Sequence, residues 1–114
     1  DPKNFDVARN AMLNVFEAEH GTARWYALDG IRQCGKTGTV QNPHGDDHSI
    51  FIAFAPMENP KIALSVIVEN AGFGSTWAAP IASLMIEKYL LREVKRTNLE
   101  KRIMEGDLIH PNKD

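Results

Sequence analysis

Gly30-Ile31-Arg32-Gln33-Cys34-Gly35-Lys36-Thr37-Gly38-Thr39 is the stretch on which the reading of this chain turns. It satisfies two motifs that need different local structures. Gly30, Gly35, Lys36 and Thr37 match Gly-x-x-x-x-Gly-Lys-Thr, a phosphate loop. Such a loop needs a helix starting at the Lys-Thr pair, so that the helix N-terminus holds the phosphates. Lys36, Thr37 and Gly38, followed by Thr39, match Lys-Thr-Gly, which suits an extended strand. The next residues decide between them. Gly38-Thr39-Val40-Gln41-Asn42-Pro43-His44-Gly45 holds two glycines, a proline and two β-branched residues, and no helix starts in such a run. Ile31 to Gln41 therefore reads as an irregular or edge strand. A nucleotide-binding module using Gly30 to Thr37 stays as the alternative, with Val66-Ile67-Val68-Glu69 as its apolar strand ending in a magnesium-holding acid.

The surroundings of that strand read as sheet and then helix. Asn42 to Asp47 is a loop of turn residues. Ser49 to Ala55 is apolar on both faces, as a central strand is. Pro56 to Pro60 makes a hairpin turn, and Lys61 to Glu69 alternates, with Ile62, Leu64, Val66 and Val68 on one side. Upstream, Asp6 is expected to cap a first helix whose apolar face is Val7, Ala8, Ala11, Met12, Val15 and Phe16, with Gly21 stopping it. Thr22 to Asp29 reads as a connection with a short strand. Downstream, Ala71 to Ser75 is a bend. Ser75 or Thr76 caps a second helix with Pro80 in its first turn and a buried stripe of Ile81, Leu84, Met85, Tyr89 and Leu91. A third short helix is expected over Leu99 to Glu105, and a loose tail at Pro111 to Asp114. The fold class is α+β, a three-stranded antiparallel meander with flanking helices.

Composition excludes several functions. The 114 residues carry 13 Lys plus Arg and 15 Asp plus Glu, and 13 − 15 gives a net charge of −2. A strongly basic nucleic-acid binder is excluded, so no nucleic-acid partner is expected. The longest unbroken apolar run is six residues, Ile50 to Ala55, against about 20 for a membrane helix. No signal peptide is read, and the chain starts at Asp1-Pro2, which fits a piece of a longer protein. Cys34 is the single cysteine and reads as a small buried hydrophobe, with no disulfide. His44, Asp46, Asp47 and His48 fall within five residues and have zinc-ligand chemistry. A solvated loop is the reading preferred for them, and no metal or cofactor is expected. Glu87 to Arg102 mixes both signs at helical spacing, as a solvated helix face does.

On an extended strand Thr37 and Thr39 share a face, so two hydroxyls and a backbone N–H line one side of a cleft. Gly38 leaves room for a substrate backbone, and Lys36 brings a positive charge to the entrance. Such an edge suits an extended peptide ending in a carboxylate, bound by strand addition. A non-catalytic peptide-binding module would present the same edge.

Further blocks carry a resemblance: Gly21-Thr22-Ala23; Cys34 to Asn42; Phe51-Ile52-Ala53-Phe54-Ala55-Pro56; Asn59-Pro60-Lys61-Ile62-Ala63; Val68 to Gly74; and Ala78-Ala79-Pro80-Ile81-Ala82. In this order they resemble the C-terminal part of the transpeptidase domain of class B penicillin-binding proteins. The resemblance is to the penicillin-binding protein 2 type that serves cell elongation. It runs from about Gly21 to Leu91 and implies a penicillin-binding transpeptidase (β-lactamase-like) fold. Residues 1–91 would be the C-terminal part of that domain and residues 92–114 a charged extension.

The implied reaction is D,D-transpeptidation. A serine attacks the D-Ala-D-Ala bond of a peptidoglycan stem peptide, forms an acyl-enzyme, and passes the acyl group to an amine. β-Lactams mimic the D-Ala-D-Ala end and trap the serine. The resemblance implies a catalytic Lys36, and substrate binding by Thr37, Gly38 and Thr39, with the N–H at Thr39 as half of the oxyanion hole. One departure is large: the family nucleophile sits in Ser-x-x-Lys, followed by Ser-x-Asn. Ser49, Ser65, Ser75 and Ser83 are followed three positions on by Ile52, Val68, Ala78 and Ile86, and two positions on by Phe51, Ile67, Trp77 and Met85. Neither motif is present, so a fragment that cannot acylate by itself is expected. The parent enzyme would sit in the cell inner membrane with its catalytic domain in the periplasm. Its partners would be the upstream part of the domain and the cell-wall proteins of the elongation complex. A sheet of three strands with an open edge also predicts a homodimer of the fragment.

Overall fold

The computed structural model describes residues 1–108, so the expected loose tail at Pro111 to Asp114 lies outside the described residues. Helix α1 (Pro2–Glu17) is followed by a single 3-10 turn at Arg24–Tyr26. Strands β1 (Cys34–Val40), β2 (His48–Ala55) and β3 (Ile62–Val68) come next, then helices α2 (Ala78–Leu91) and α3 (Thr97–Glu105). The strands form one antiparallel meander in the order β1-β2-β3. Thr22 to Asp29 carries the 3-10 turn and no strand.

Register sorts the two faces of the sheet. Phe51 stands opposite Thr37 on one side and Val66 on the other, and Ser49 stands opposite Thr39 and Val68. Residues two apart share a face, so Ser49, Phe51, Ala53 and Ala55 turn together toward the core, where all four are buried. Phe16 of α1 meets the Phe51 ring edge-on, at 5.6 Å between centroids and an interplanar angle of 86°. Ala78, Ala79, Ala82 and Ile86 of α2 complete the cluster. Small residues along α2 let the helix approach the sheet closely. The other face of β2 is apolar too, but Ile52 there is 45% exposed and Ile67 of β3 is 61% exposed.

Both long helices start differently from the sequence reading. Asp1, not Asp6, caps α1: its carboxylate accepts from Lys3 N–H at 3.0 Å, and Pro2 takes the first helical position. Asp6 lies inside the helix and pairs with Arg9. Leu13 and Phe16 are the buried residues of α1, whereas Val7 is exposed. The helix ends at Glu17, with Ala18 extended, so Gly21 does not stop it. Gly21 is needed because the chain folds back over the last turn, where a Cβ would lie 2.4 Å from the Val15 carbonyl oxygen.

Neither Ser75 nor Thr76 caps α2; Trp77 holds the cap position and makes no side-chain bond there. The orphan N–H of Ala78 is instead satisfied from the sheet, by the Ser49 hydroxyl at 3.1 Å, which itself donates to the Phe73 carbonyl at 2.9 Å. The stripe expected on α2 is also rotated. Ala79, Ala82, Ser83, Ile86 and Glu87 face inward with Leu84, while Met85, Tyr89 and Leu91 are exposed. Helix α3 begins two residues before its expected start, at Thr97.

Glu87 corrects the expected solvated face of residues 87–102, being 1% exposed. One carboxylate oxygen accepts from Lys95 N–H at 2.8 Å and the other from Arg96 Nε at 2.9 Å. Arg96 also donates to the Tyr26 carbonyl at 2.8 Å and to the Ser83 hydroxyl at 2.9 Å. Ser83 donates to the same Tyr26 carbonyl and accepts from Gln33 Nε2 at 3.1 Å, and Gln33 Oε1 accepts from Leu28 N–H at 2.9 Å. Every member is paired, so this buried polar cluster rigidifies its surroundings. Burial alone would raise the Glu87 pKa, but the Lys95 N–H and Arg96 bonds together hold it below the ordinary 4.5. A carboxylate with a depressed folded pKa contributes stability above its unfolded pKa and loses it as pH falls through the folded value. The melting temperature should therefore drop on acidification below 4.5, and Glu87→Gln should flatten that dependence. Thermal melts across the acid range that superimpose in shape for the two proteins would contradict this.

Candidate substrate-binding strand

The four expected site residues lie consecutively on β1. The strand is extended because its β-branched residues favour the pleat and because β2 supplies a full antiparallel ladder. Among the described residues no strand pairs with its other edge. Lys36 and Thr37 lie inside the strand, so the helix that a phosphate loop requires does not start there. Gly30 instead makes a turn at φ 79°, and Gly35 packs against the Phe51 ring, where a Cβ would come within 2.5 Å. Strand β2 separates β1 from Val66-Ile67-Val68-Glu69, so the nucleotide reading also lacks its acidic neighbour.

Thr37 and Thr39 share a face, opposite Phe51 and Ser49 respectively. Thr39 is exposed and Thr37 half-buried. Lys36 stands opposite Ile52, out of phase with the threonines, and its exposed ammonium donates to the Thr37 carbonyl at 2.8 Å. It also lines a groove of ≈ 380 Å³ against the end of α1, beside Asn14, Ala18, His20 and Thr22. The groove is open to solvent.

Gly38 is met by the bend that leads into α2. A Cβ on Gly74 would come within 2.7 Å of the Gly38 carbonyl oxygen and 2.4 Å of the Ile50 carbonyl oxygen, so Gly74 is required for close approach. A Cβ on Gly38 would make only ordinary contact with Ile50, at 3.5 Å. The near backbone neighbour of Gly38 is thus the chain's own loop. Phe73, the residue before Gly74, is 71% exposed. The sequence reading treated this residue as part of a bend. The available signal was an aromatic side chain between two glycines, Gly72-Phe73-Gly74, where no core position explains it.

Asp47, His48 and Cys34 have structural partners. Asp47 accepts from Asn42 N–H at 3.0 Å, closing the loop between β1 and β2, and His48 Nδ1 accepts from Asn70 N–H at 3.0 Å, tying the start of β2 to the residues after β3. Among the described residues no group of three or more His, Cys, Asp or Glu could hold a metal ion. Cys34 is buried, with burial pushing its thiol pKa up and Sγ lying 3.7 Å from the Arg9 carbonyl. Among the serines, Ser49 and Ser83 are buried and hydrogen-bonded as described.

Both the sequence and the fold are similar to those of known proteins. The description "Penicillin binding protein transpeptidase domain" matches residues 1–87. The peptidoglycan D,D-transpeptidase MrdA of Haemophilus influenzae is 38% identical over 114 residues, covering 83% of this chain and 18% of that protein. The crystal structure of Pseudomonas aeruginosa PBP2 in complex with WCK 5153 superposes with a TM-score of 0.72 at 38% identity, over 85% of this chain and 22% of that one. Penicillin-binding protein A of M. tuberculosis, solved as an imipenem acyl-enzyme complex, gives a TM-score of 0.66 at 34% identity, over 79% of this chain and 20% of that one. This chain belongs to the penicillin-binding protein transpeptidase domain family. Its relatives place it with the penicillin-binding protein 2 type. It spans less than a fifth of the length of the MrdA protein it matches.

Proposed function

We propose that this chain is the C-terminal part of a peptidoglycan D,D-transpeptidase domain, in which β1 is the wall that holds the substrate's terminal carboxylate. The observation that carries the reading is the Lys36-Thr37-Gly38-Thr39 run on a strand edge left unpaired among the described residues, with both threonines on one face. The serine, and the lysine that activates it, come from chain outside these residues. That serine attacks the D-Ala-D-Ala carbonyl carbon, the C–N bond to the terminal D-alanine breaks, and the acyl group is then passed to an amine of a neighbouring stem peptide. Thr37 and Thr39 donate hydroxyl hydrogen bonds to the substrate carboxylate. Lys36 supplies positive charge and a proton route at the nucleophile, which reaches it across the groove at the end of α1. The N–H of Thr39 stabilises the developing oxyanion. Phe73, exposed and next in sequence to the Gly74 that packs on Gly38, offers an apolar surface to the bound peptide. β-Lactams occupy the same strand because they present a carboxylate beside a strained amide.

Residues 1–91 form this part of the domain and residues 92–114 a charged extension. The intact protein is held at the inner membrane with this domain in the periplasm, among the cell-wall proteins of elongation. The outer edges of β1 and β3, unpaired among the described residues, also allow pairing with a second copy.

The isolated chain should take up no covalent fluorescent penicillin, whereas the full-length protein should be labelled at a serine outside these residues. A stable adduct on the isolated chain would overturn the reading. The unpaired β1 edge also supports a non-catalytic peptide-binding module. Ser-x-x-Lys and Ser-x-Asn in the upstream reading frame decide for the enzyme.

A further inference from the structure

We propose that Arg96 is a positioning residue for the β1 strand, and that it acts through the buried polar cluster from outside the family-matched residues. This rests on the assignment of Lys36 to Thr39 as the substrate-binding strand. The match to the transpeptidase family ends at residue 87, and Arg96 follows α2. Its guanidinium nevertheless reaches back to three separate places: the Glu87 carboxylate, the Ser83 hydroxyl on α2, and the Tyr26 carbonyl at the 3-10 turn.

The consequence lies in what Ser83 and Tyr26 hold. Tyr26 is the last residue of the 3-10 turn, and the chain runs from it directly toward β1. Gln33 is the residue immediately before Cys34, the first of β1, and its side chain bridges Leu28 N–H to the Ser83 hydroxyl. The run-in to the strand is therefore fastened at both ends, at Tyr26 and at Gln33, onto a single hydroxyl. Arg96 holds that hydroxyl and one of the ends with a planar fork. Gly30, at φ 79°, lies between the two anchors and supplies the turn. The Tyr26 carbonyl accepts from the Ser83 hydroxyl on α2 and from the Arg96 guanidinium beyond it. Loss of the fork leaves Ser83, with the Met57 N–H that donates to the Arg32 carbonyl at 2.9 Å, to hold the segment that ends three residues upstream of Lys36.

Two variants in the full-length protein test this. Arg96→Lys keeps a cation beside Glu87 but cannot span Glu87, Ser83 and Tyr26 at once. The double variant Glu87→Met with Arg96→Met removes the pair together, which avoids stranding a buried charge. Hydrogen exchange of the amides from Leu28 to Gly35 should rise about tenfold in both, with β3 unchanged, as local opening of that segment requires. The acylation rate constant with a fluorescent penicillin should fall about tenfold at saturation, read separately from the fraction of protein that can be labelled. A merely structural role would lower that fraction and leave the rate constant alone. Unchanged exchange in a folded variant would overturn the proposal, as would faster exchange with an unchanged rate constant. Lys36→Ala in the same assay reports separately on the site. If it labels at the wild-type rate, the assignment of Lys36 fails, while the exchange result still measures the hold of Arg96 on β1.

Discussion

Lys36→Ala in the full-length protein is expected to slow acylation by a fluorescent penicillin by about 100-fold or more, with no comparable change in melting temperature. Positioned proton-transfer groups contribute about 10²–10⁴-fold, and a fixed donor aimed at developing charge contributes about 10²–10³-fold. Lys36 is exposed and its one hydrogen bond goes to the neighbouring Thr37 carbonyl. Removing it therefore opens no cavity and strands no buried group, and substitutions at such positions typically move stability by about 0.5 kcal/mol or less. The two readouts separate a chemical role from a structural one. Stopped-flow acylation at the wild-type rate would remove Lys36 from the site. Loss of rate accompanied by an equal loss of folded protein would assign it to the sheet instead.

Phe51→Ala is expected to have the largest effect on stability, about 3–5 kcal/mol. Its side chain is fully buried and fills the space between β1, β2 and α1, touching the Phe16 ring edge and closing over Gly35. Gly35 cannot grow to refill that space, since a Cβ there already meets the Ile52 carbonyl oxygen at 2.9 Å. A loss of this size is a large part of the roughly 5–15 kcal/mol that holds a domain together. At roughly 5 °C per kcal/mol for a chain of this size, the melting temperature should fall by about 15–25 °C. Circular dichroism melts of the purified chain check it. A shift of under about 5 °C would mean that Phe16 and the α2 alanines collapse into the cavity, and that the core is softer than its burial implies.

Much of the sheet could be read from the residues themselves. The alternation of Ile62, Leu64, Val66 and Val68 holds in the structure, on the face that meets Phe51 and Ala53. The hairpin at Pro56 to Pro60 and the loop at Asn42 to Asp47 also fall between the strands they were expected to join. Period-2 patterning and turn chemistry act over a few residues, so they survive without knowledge of the fold. The helix faces were less legible. On α2 the sheet-facing positions are Ala78, Ala79 and Ala82, which score weakly as apolar, while the larger Met85 and Tyr89 are exposed. Close packing against a sheet selects small residues, and a search for large ones finds the wrong side. The start of α1 was missed because Asp1 and Asp6 offer the same side chain. The choice was made by Pro2, which needs no N–H bond at the first helical position.

For the site, the residues alone decided the order Lys36-Thr37-Gly38-Thr39, its extended conformation and the shared face of the two threonines, because glycine, proline and β-branching exclude a helix there. The family likewise followed from short blocks in a fixed order. Only the tertiary structure decided that Ser49 supplies the cap of α2, that Gly74 presses on Gly38, and that the buried Glu87 pairs with the half-buried Arg96. These contacts join residues from 9 to 36 positions apart, and the same Ser, Gly, Glu and Arg are ordinary surface or loop residues in any local window. Their partners are set by the packing of α2 and the following segment onto the sheet. Burial then makes each hydrogen bond obligatory, because a polar group removed from water must find a partner in the protein.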